Sequence, residues 1–302
     1  INNFNHFIII IIYLFIYLKK NKMRLILIRH AESHNNFVWD KLTTKYPVYE
    51  ERPKNFYDLY NAQRNADPEL SELGYKQAEA VGKEISKRLV TYEKPIELRS
   101  SPMNRTLLTT TAIEKECGND VFPTFQVYEG YFEQGGCFDN DSKGIPGRTG
   151  QEIRNAFPKA QPNWDLGKGW YEATYKDMPV EHRDLILPRV KRVVDDIWKN
   201  DVPRLKNGTL IVVVHGNFLD VMIKELLSSN NDLNFCAIHE NTGISSFKLQ
   251  HDAGKMKNKK RVYIEGINSY HHLLQDKLSK AVFLNEFSYE DCGMVDDAEG
   301  AT

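Results

Sequence analysis

Three widely separated stretches place reactive or charged side chains directly behind apolar runs. Leu25–Ile28 leads into Arg29, His30 and Glu32; Ile96–Leu98 leads into Ser101 and Arg105; Thr209–Val214 leads into His215. Guanidinium forks match phosphate oxygens bidentately and stay charged at any working pH. A neutral imidazole can act as a nucleophile when its second nitrogen is held by a hydrogen bond that fixes the tautomer, and a backbone carbonyl would do this for His30. Two arginines and two histidines converging on one point would make an anion site. A phosphoryl group is its most natural occupant, because phosphoryl transfer needs positioning and charge stabilisation above all. The leaving alcohol then needs a proton, which a carboxylic acid at the pocket mouth can give and later take back from water. Alone, a histidine at a strand end is more often structural than catalytic, so the functional reading stands or falls on convergence.

Convergence follows if these runs are parallel strands. Four apolar residues in a row fit a strand buried on both faces, and open α/β sheets bind ligands just beyond the carboxyl edge that parallel strands share. Helical segments alternate with the strands. Ser71 can cap a helix whose stripe is Leu73, Ala78, Val81, Ile85 and Leu89, and further helices are expected over Asn104–Glu116, Leu185–Trp198 and Phe218–Leu227. Additional strands are expected over Phe125–Tyr128, Ser245–Leu249 and Arg261–Ile267. The implied fold is α/β, with a mainly parallel central sheet and helices on both faces. Residues 37–66, rich in aromatics and charges, show no clean period and read as a long surface excursion with room for some helix; such segments are often lids or binding loops. Residues 138–170 read as loop with one short helical piece, QEIRNAF.

The motifs RHAES with Asn36, DPELSELGYKQA, SSPMNRTLLTTTA, EQGG, VVVHGN and HENTGIS resemble, in order, the successive motifs of the histidine phosphatase superfamily in its phosphoglycerate mutase-like branch. The resemblance spans Met23 to Leu273 and implies a three-layer sandwich, with a histidine phosphatase domain over residues 23–284. It implies that His30 becomes phosphorylated, that Arg29 and Arg105 grip the phosphoryl oxygens with Asn36 assisting, and that His215 hydrogen-bonds the phosphoryl group. It also implies that Glu32 supports the strand end rather than touching substrate. The family's proton donor is a glutamate followed by glycines. Glu133, which directly precedes Gln134, Gly135 and Gly136, fits that pattern better than the alternative, Glu129.

The remaining features narrow the class. A net charge of -1 gives no global basic field, so nucleic acid is not an expected partner. Cys117, Cys137, Cys236 and Cys292 are scattered with no CxxC pair, which fits reduced thiols of a cytoplasmic protein. His239, His251, His271 and His272 lack HxH or HExxH spacing, so neither a metal site nor a cofactor is called for. There is no GxxxxGK[ST] loop, and neither Ser33 nor Ser101 sits in a GxSxG elbow. Lys143 and Arg148 in the loop 135–150 could hold a second anionic group or simply sit in a solvated linker.

A phosphomonoesterase is the expected activity. The segment 37–66 differs from the shorter tryptophan-containing run usual in the mutases, and Glu32 and Ser33 do not fit the RHGxRxP pattern of the secreted acid phosphatases. A non-catalytic phosphate-binding protein is the competing class. Sugar phosphates, inositol phosphates, nucleotides and phosphotyrosine peptides all fit as substrates, and oligomeric state leaves no signal. Residues 1–22, with the apolar run Phe7–Leu18, read either as upstream sequence translated in frame before Met23 or as a short membrane anchor or targeting segment; residues 285–302 read as a loose acidic tail.

Overall fold

A computed structural model of the protein describes residues 22–141, 143–227, 235–252, 259–275 and 278. Strand β1 (Lys22–Arg29) lies inside a seven-stranded sheet because both of its faces are apolar. Leu25 and Leu27 point into one buried cluster, and Ile26 and Ile28 into another on the opposite face. The same alternation runs through β5 (Thr209–Val214), where every residue is buried. With β2 (Ile96–Ser100), β3 (Phe125–Val127), β4 (Ala160–Pro162), β6 (Ile244–Asp252) and β7 (Lys259–Ser269), the order is β4-β3-β2-β5-β1-β6-β7. The five strands from β4 to β1 pair in parallel, and β6 and β7 close the sheet in antiparallel pairing. This is the α/β architecture expected from the alternation of strand and helix patterns.

The helices take up the two faces. In chain order they are α1 (His34–Lys45), α2 (Phe56–Asn61), α3 (Glu72–Arg88), α4 (Asn104–Cys117), α5 (Gly150–Ala156), α6 (Trp170–Thr174), α7 (Arg183–Asp196), α8 (Gly216–Leu226) and α9 (His271–Gln275), besides single turns. Val81 and Ile85 of α3 and Leu107 and Ile113 of α4 pack on one face. Val190 and Val194 of α7, with Phe218 and Met222 of α8, pack on the other. Each core side chain of this size contributes about 2 kcal/mol through burial alone.

The segment 37–66, read with room for some helix, is helical in part, and the stretch 138–170, read as loop with one short helical piece, also contains a short strand. The segment after Asn36 holds α1 and α2, whose buried Val38, Leu42 and Phe56 form a small separate core. Residues 160–162 add β4 at the sheet edge. Among the described residues no helix is long and apolar enough to cross a membrane. The segment 1–21 and the tail 285–302 lie outside the described residues, while Lys22 opens β1.

Candidate active site

Parallel register aligns the three strand ends. Ile28 and Ser100 both pair with Val213, and Arg29 pairs with Val214, so the residues that follow emerge at one edge. Backbone bonds carry the alignment past the strands: His30 N donates to Val214 O at 2.9 Å and Ser101 N to Val213 O at 3.0 Å. The structure thus brings Arg29, His30, Ser101, Arg105 and His215 to one place. The rings of His30 and His215 lie 5.2 Å apart, inclined at 61°.

His30 is buried, and its Nδ1–H donates to the carbonyl of Ala31 at 2.7 Å. A carbonyl can only accept, so this bond fixes the proton on Nδ1 and leaves the lone pair on Nε2. Arg105 Nε donates to that lone pair at 3.1 Å. The backbone around His30 is pinned as well. Asn241 Nδ2 donates to His30 O at 3.0 Å, Thr242 N donates to Arg29 O, and Ala31 N donates to Thr109 Oγ1 at 3.1 Å. These bonds explain the HENTGIS and threonine-rich motifs as supports of the β1 end.

His215 is fully buried, with Nε2 and Ser101 Oγ sharing a 2.7 Å hydrogen bond. Its Nδ1 has no partner among the described residues. A buried polar atom without a partner costs about 1–3 kcal/mol, so this nitrogen marks where a polar ligand atom would be welcome. Ser101 was legible only as a strand-end residue; its place behind His215 required the fold.

Burial, aided by neighbouring charge, sets the protonation of both rings. Burial, then the Arg105 and Arg29 guanidiniums, hold His30 well below the ordinary histidine value; burial, then Arg105, do the same to His215. Both are neutral near pH 7. Burial also lowers the pKa of Arg29 and of Arg105, opposed most strongly in each case by the Glu133 carboxylate. Arg29 Nη1 donates to His239 O at 2.5 Å, while its Nε has no partner among the described residues. Two desolvated guanidiniums beside neutral imidazoles favour an incoming anion.

Glu133 sits against the start of α8. Its Oε1 accepts from Gln134 N at 2.9 Å and Phe218 N at 3.0 Å, and its Oε2 accepts from Asn217 N at 3.3 Å. The first-turn amides of α8, which starts right after His215, therefore hold this carboxylate against the positive end of the helix. Glu129 instead begins a short turn whose backbone N–H bonds to Asn163. The glycines after Glu133 are required by shape: Gly135 and Gly136 have φ of 95° and 86°, and a Cβ on Gly136 would come within 2.2 Å of the Tyr171 ring.

Asn36, expected to assist in gripping the phosphoryl group, also starts a helix. Its Oδ1 accepts from Ser33 N and Oγ, forming the capping box that starts α1. Glu32 is buried and holds the strand end to α3: Ser71 Oγ donates to its Oε1 at 2.5 Å, and its backbone N donates to Gln77 Oε1 at 2.9 Å. Gly74 completes the clasp, since a Cβ there would lie 2.0 Å from Glu32 O. Gly74→Ala is expected to cost about 3 kcal/mol through overpacking against backbone, read as a lower denaturant midpoint. An unchanged midpoint would mean that α3 and the strand end do not depend on this contact.

Burial likewise holds His239 and His272 down, each to about 4. Imidazoles depressed in the native state bind protons more readily in the unfolded chain, so stability rises with pH across this range. Their contribution is complete above the ordinary value of 6.5 and is lost as pH falls toward about 4. The thermal midpoint is therefore expected to drop between those limits, and replacing His239 and His272 by glutamine should flatten the slope. A slope that both replacements leave unchanged would contradict this. Among the described residues no group of three or more His, Cys, Asp or Glu is placed to hold a metal ion.

With this geometry in place, comparison with known families is direct. The model of the histidine phosphatase superfamily (branch 1) matches residues 25–260, and the chain belongs to that family. Among solved structures, phosphoserine phosphatase of Entamoeba histolytica is 21% identical, with a TM-score of 0.46, over 83% of this chain and 99% of that one. A mycobacterial hydrolase is 19% identical, with a TM-score of 0.48, over 82% and 98%. A mycobacterial glucosyl-3-phosphoglycerate phosphatase is 16% identical, with a TM-score of 0.44, over 82% and 99%. Comparison with curated proteins finds no match.

Proposed function

We propose that the protein is a phosphomonoesterase working through a phosphohistidine on His30, with the activity contained in one domain over residues 23–284 and the cytoplasm as its compartment. The observation that carries this reading is the state of His30: a neutral ring, its Nδ1 proton tied to Ala31 O and its Nε2 lone pair facing Arg105. Attack by Nε2 on phosphorus requires the Arg105 hydrogen bond to pass from that nitrogen to a phosphoryl oxygen. Arg29 and the unpartnered Nδ1 of His215 would meet other oxygens, with the amide of Asn36 reaching from the start of α1. As the P–O ester bond breaks, its electron pair leaves with the alcohol oxygen, which takes the proton of Glu133 in its carboxylic acid form, leaving the carboxylate. Water then attacks the phosphohistidine, Glu133 accepts its proton, and the N–P electron pair returns to Nε2.

Hydrolysis is preferred over mutase-type transfer because the segment 37–66 departs from the mutase pattern, and over bare phosphate recognition because nucleophile, clamps and carboxylate are all present. The test is inorganic phosphate release from a panel of sugar phosphates, inositol phosphates, nucleotides and a phosphotyrosine peptide, with transfer between phosphoglycerates measured alongside. Release from at least one ester supports the reading. Transfer without net release would favour the mutase, and binding without either would favour the non-catalytic class.

A further inference from the structure

Arg189 of α7 and Glu181 are both buried, 2% and 1% exposed, and form a bidentate pair, with Nε to Oε1 at 2.6 Å and Nη2 to Oε2 at 2.5 Å. A pair of this kind, kept only to hold the chain together, is readily replaced by apolar residues, because desolvation offsets most of the Coulomb gain. Here the arginine has further engagements, and they converge. Its Nη1 donates to Gly130 O at 2.7 Å and to Phe132 O at 3.0 Å, on the chain entering Glu133. Glu181 N donates to Gly135 O at 3.2 Å, on the chain leaving it. The guanidinium carbon lies 3.7 Å from the Phe132 ring centroid and 5.3 Å from that of Phe218, the residue whose backbone N–H holds the Glu133 carboxylate.

We propose that Arg189, locked by Glu181, is a positioning residue that holds Glu133 in register with the first turn of α8 and the strand-end histidines. One rigid, planar group thus ties both the segment that carries the carboxylate and the residue that anchors it. The inference rests on the reading of Glu133 as proton donor. Lysine cannot reproduce it, because an ammonium cannot form the fork with Glu181 while donating to two carbonyls.

The consequence is selective. An ester whose leaving group is already a good one, p-nitrophenyl phosphate, needs little help from an acid; an alkyl ester, β-glycerophosphate, depends on it. General acid catalysis is worth about 10^2- to 10^4-fold, and small misplacement forfeits about 10^2-fold. In the full chain, Arg189→Met and Arg189→Lys are expected to lower kcat/KM, which reports phosphohistidine formation alone, by about 10^2-fold for β-glycerophosphate and by less than about fivefold for p-nitrophenyl phosphate. Glu133→Gln serves as reference and should show the same selectivity with a larger loss. Arg189→Lys keeps the charge, so one variant stays informative if the methionine form folds poorly. Equal losses on both esters, or none, in the Arg189 variants while Glu133→Gln remains selective would overturn the positioning role alone. Absence of selectivity in Glu133→Gln would instead remove the proton-donor reading, and this inference with it.

Discussion

His30→Ala is expected to lower kcat by about 10^4-fold or more, the scale of loss when the nucleophile of a covalent mechanism is removed. The fold should survive. His30 is neutral, and its side chain bonds only to Ala31 O and Arg105 Nε among the described contacts. The strand end is held through its own backbone, which the substitution leaves in place: Asn241 Nδ2 donates to His30 O, Thr242 N donates to Arg29 O, and Ala31 N donates to Thr109 Oγ1. Circular dichroism and a denaturant midpoint close to wild type should accompany the lost activity. Full residual activity in a folded variant would remove the nucleophile assignment, whereas loss with unfolding would make His30 a structural residue.

Arg105→Ala should lower kcat/KM by about 10^3-fold, the lower end of what one guanidinium contributes to a phosphoryl transition state. Arg105 is charged at the cost of burial, which lowers its pKa, and Glu133 and Asp67 oppose that shift. Removing it should therefore leave the thermal midpoint unchanged or slightly raised, as expected when an active-site charge is relieved. Arg105→Lys should recover less than about tenfold, because a point charge cannot present two parallel donors. The pairing of lost activity with retained or increased stability separates this arginine from structural ones. Asp201, which receives a bidentate fork from buried Arg99, illustrates the other kind. Lost activity accompanied by a lower midpoint would contradict the clamp role of Arg105.

Much of this site was legible because chemistry and periodicity coincided. The apolar runs before Arg29 and His215 read as strands, and parallel pairing required their ends to meet. Glu133 stood out because two glycines follow it, and both adopt positive φ in the turn. What escaped did so for identifiable reasons. In α1 only Val38 and Leu42 are buried, while Phe37 is exposed and Trp39 partly so, which blurs the helical period. Asn36, read as a phosphate ligand, doubles as the cap that starts that helix. The partners Ser101 with His215 and Arg189 with Phe132 are contacts between distant segments; spacing along the chain carries no trace of them. The strand β4 is three residues long, too short for any alternation to show.

The central claim is that neutral His30, faced by His215 and flanked by two arginines that would grip the incoming oxygens, takes a phosphoryl group covalently. Rapid mixing with a 32P-labelled phosphomonoester, quenched in alkali and followed by peptide mapping, tests it most directly. The account predicts label on the peptide containing His30, stable in alkali, lost in acid, formed no slower than turnover and absent in His30→Ala. Phosphate release without any such label, or label that survives acid on another residue, would contradict it.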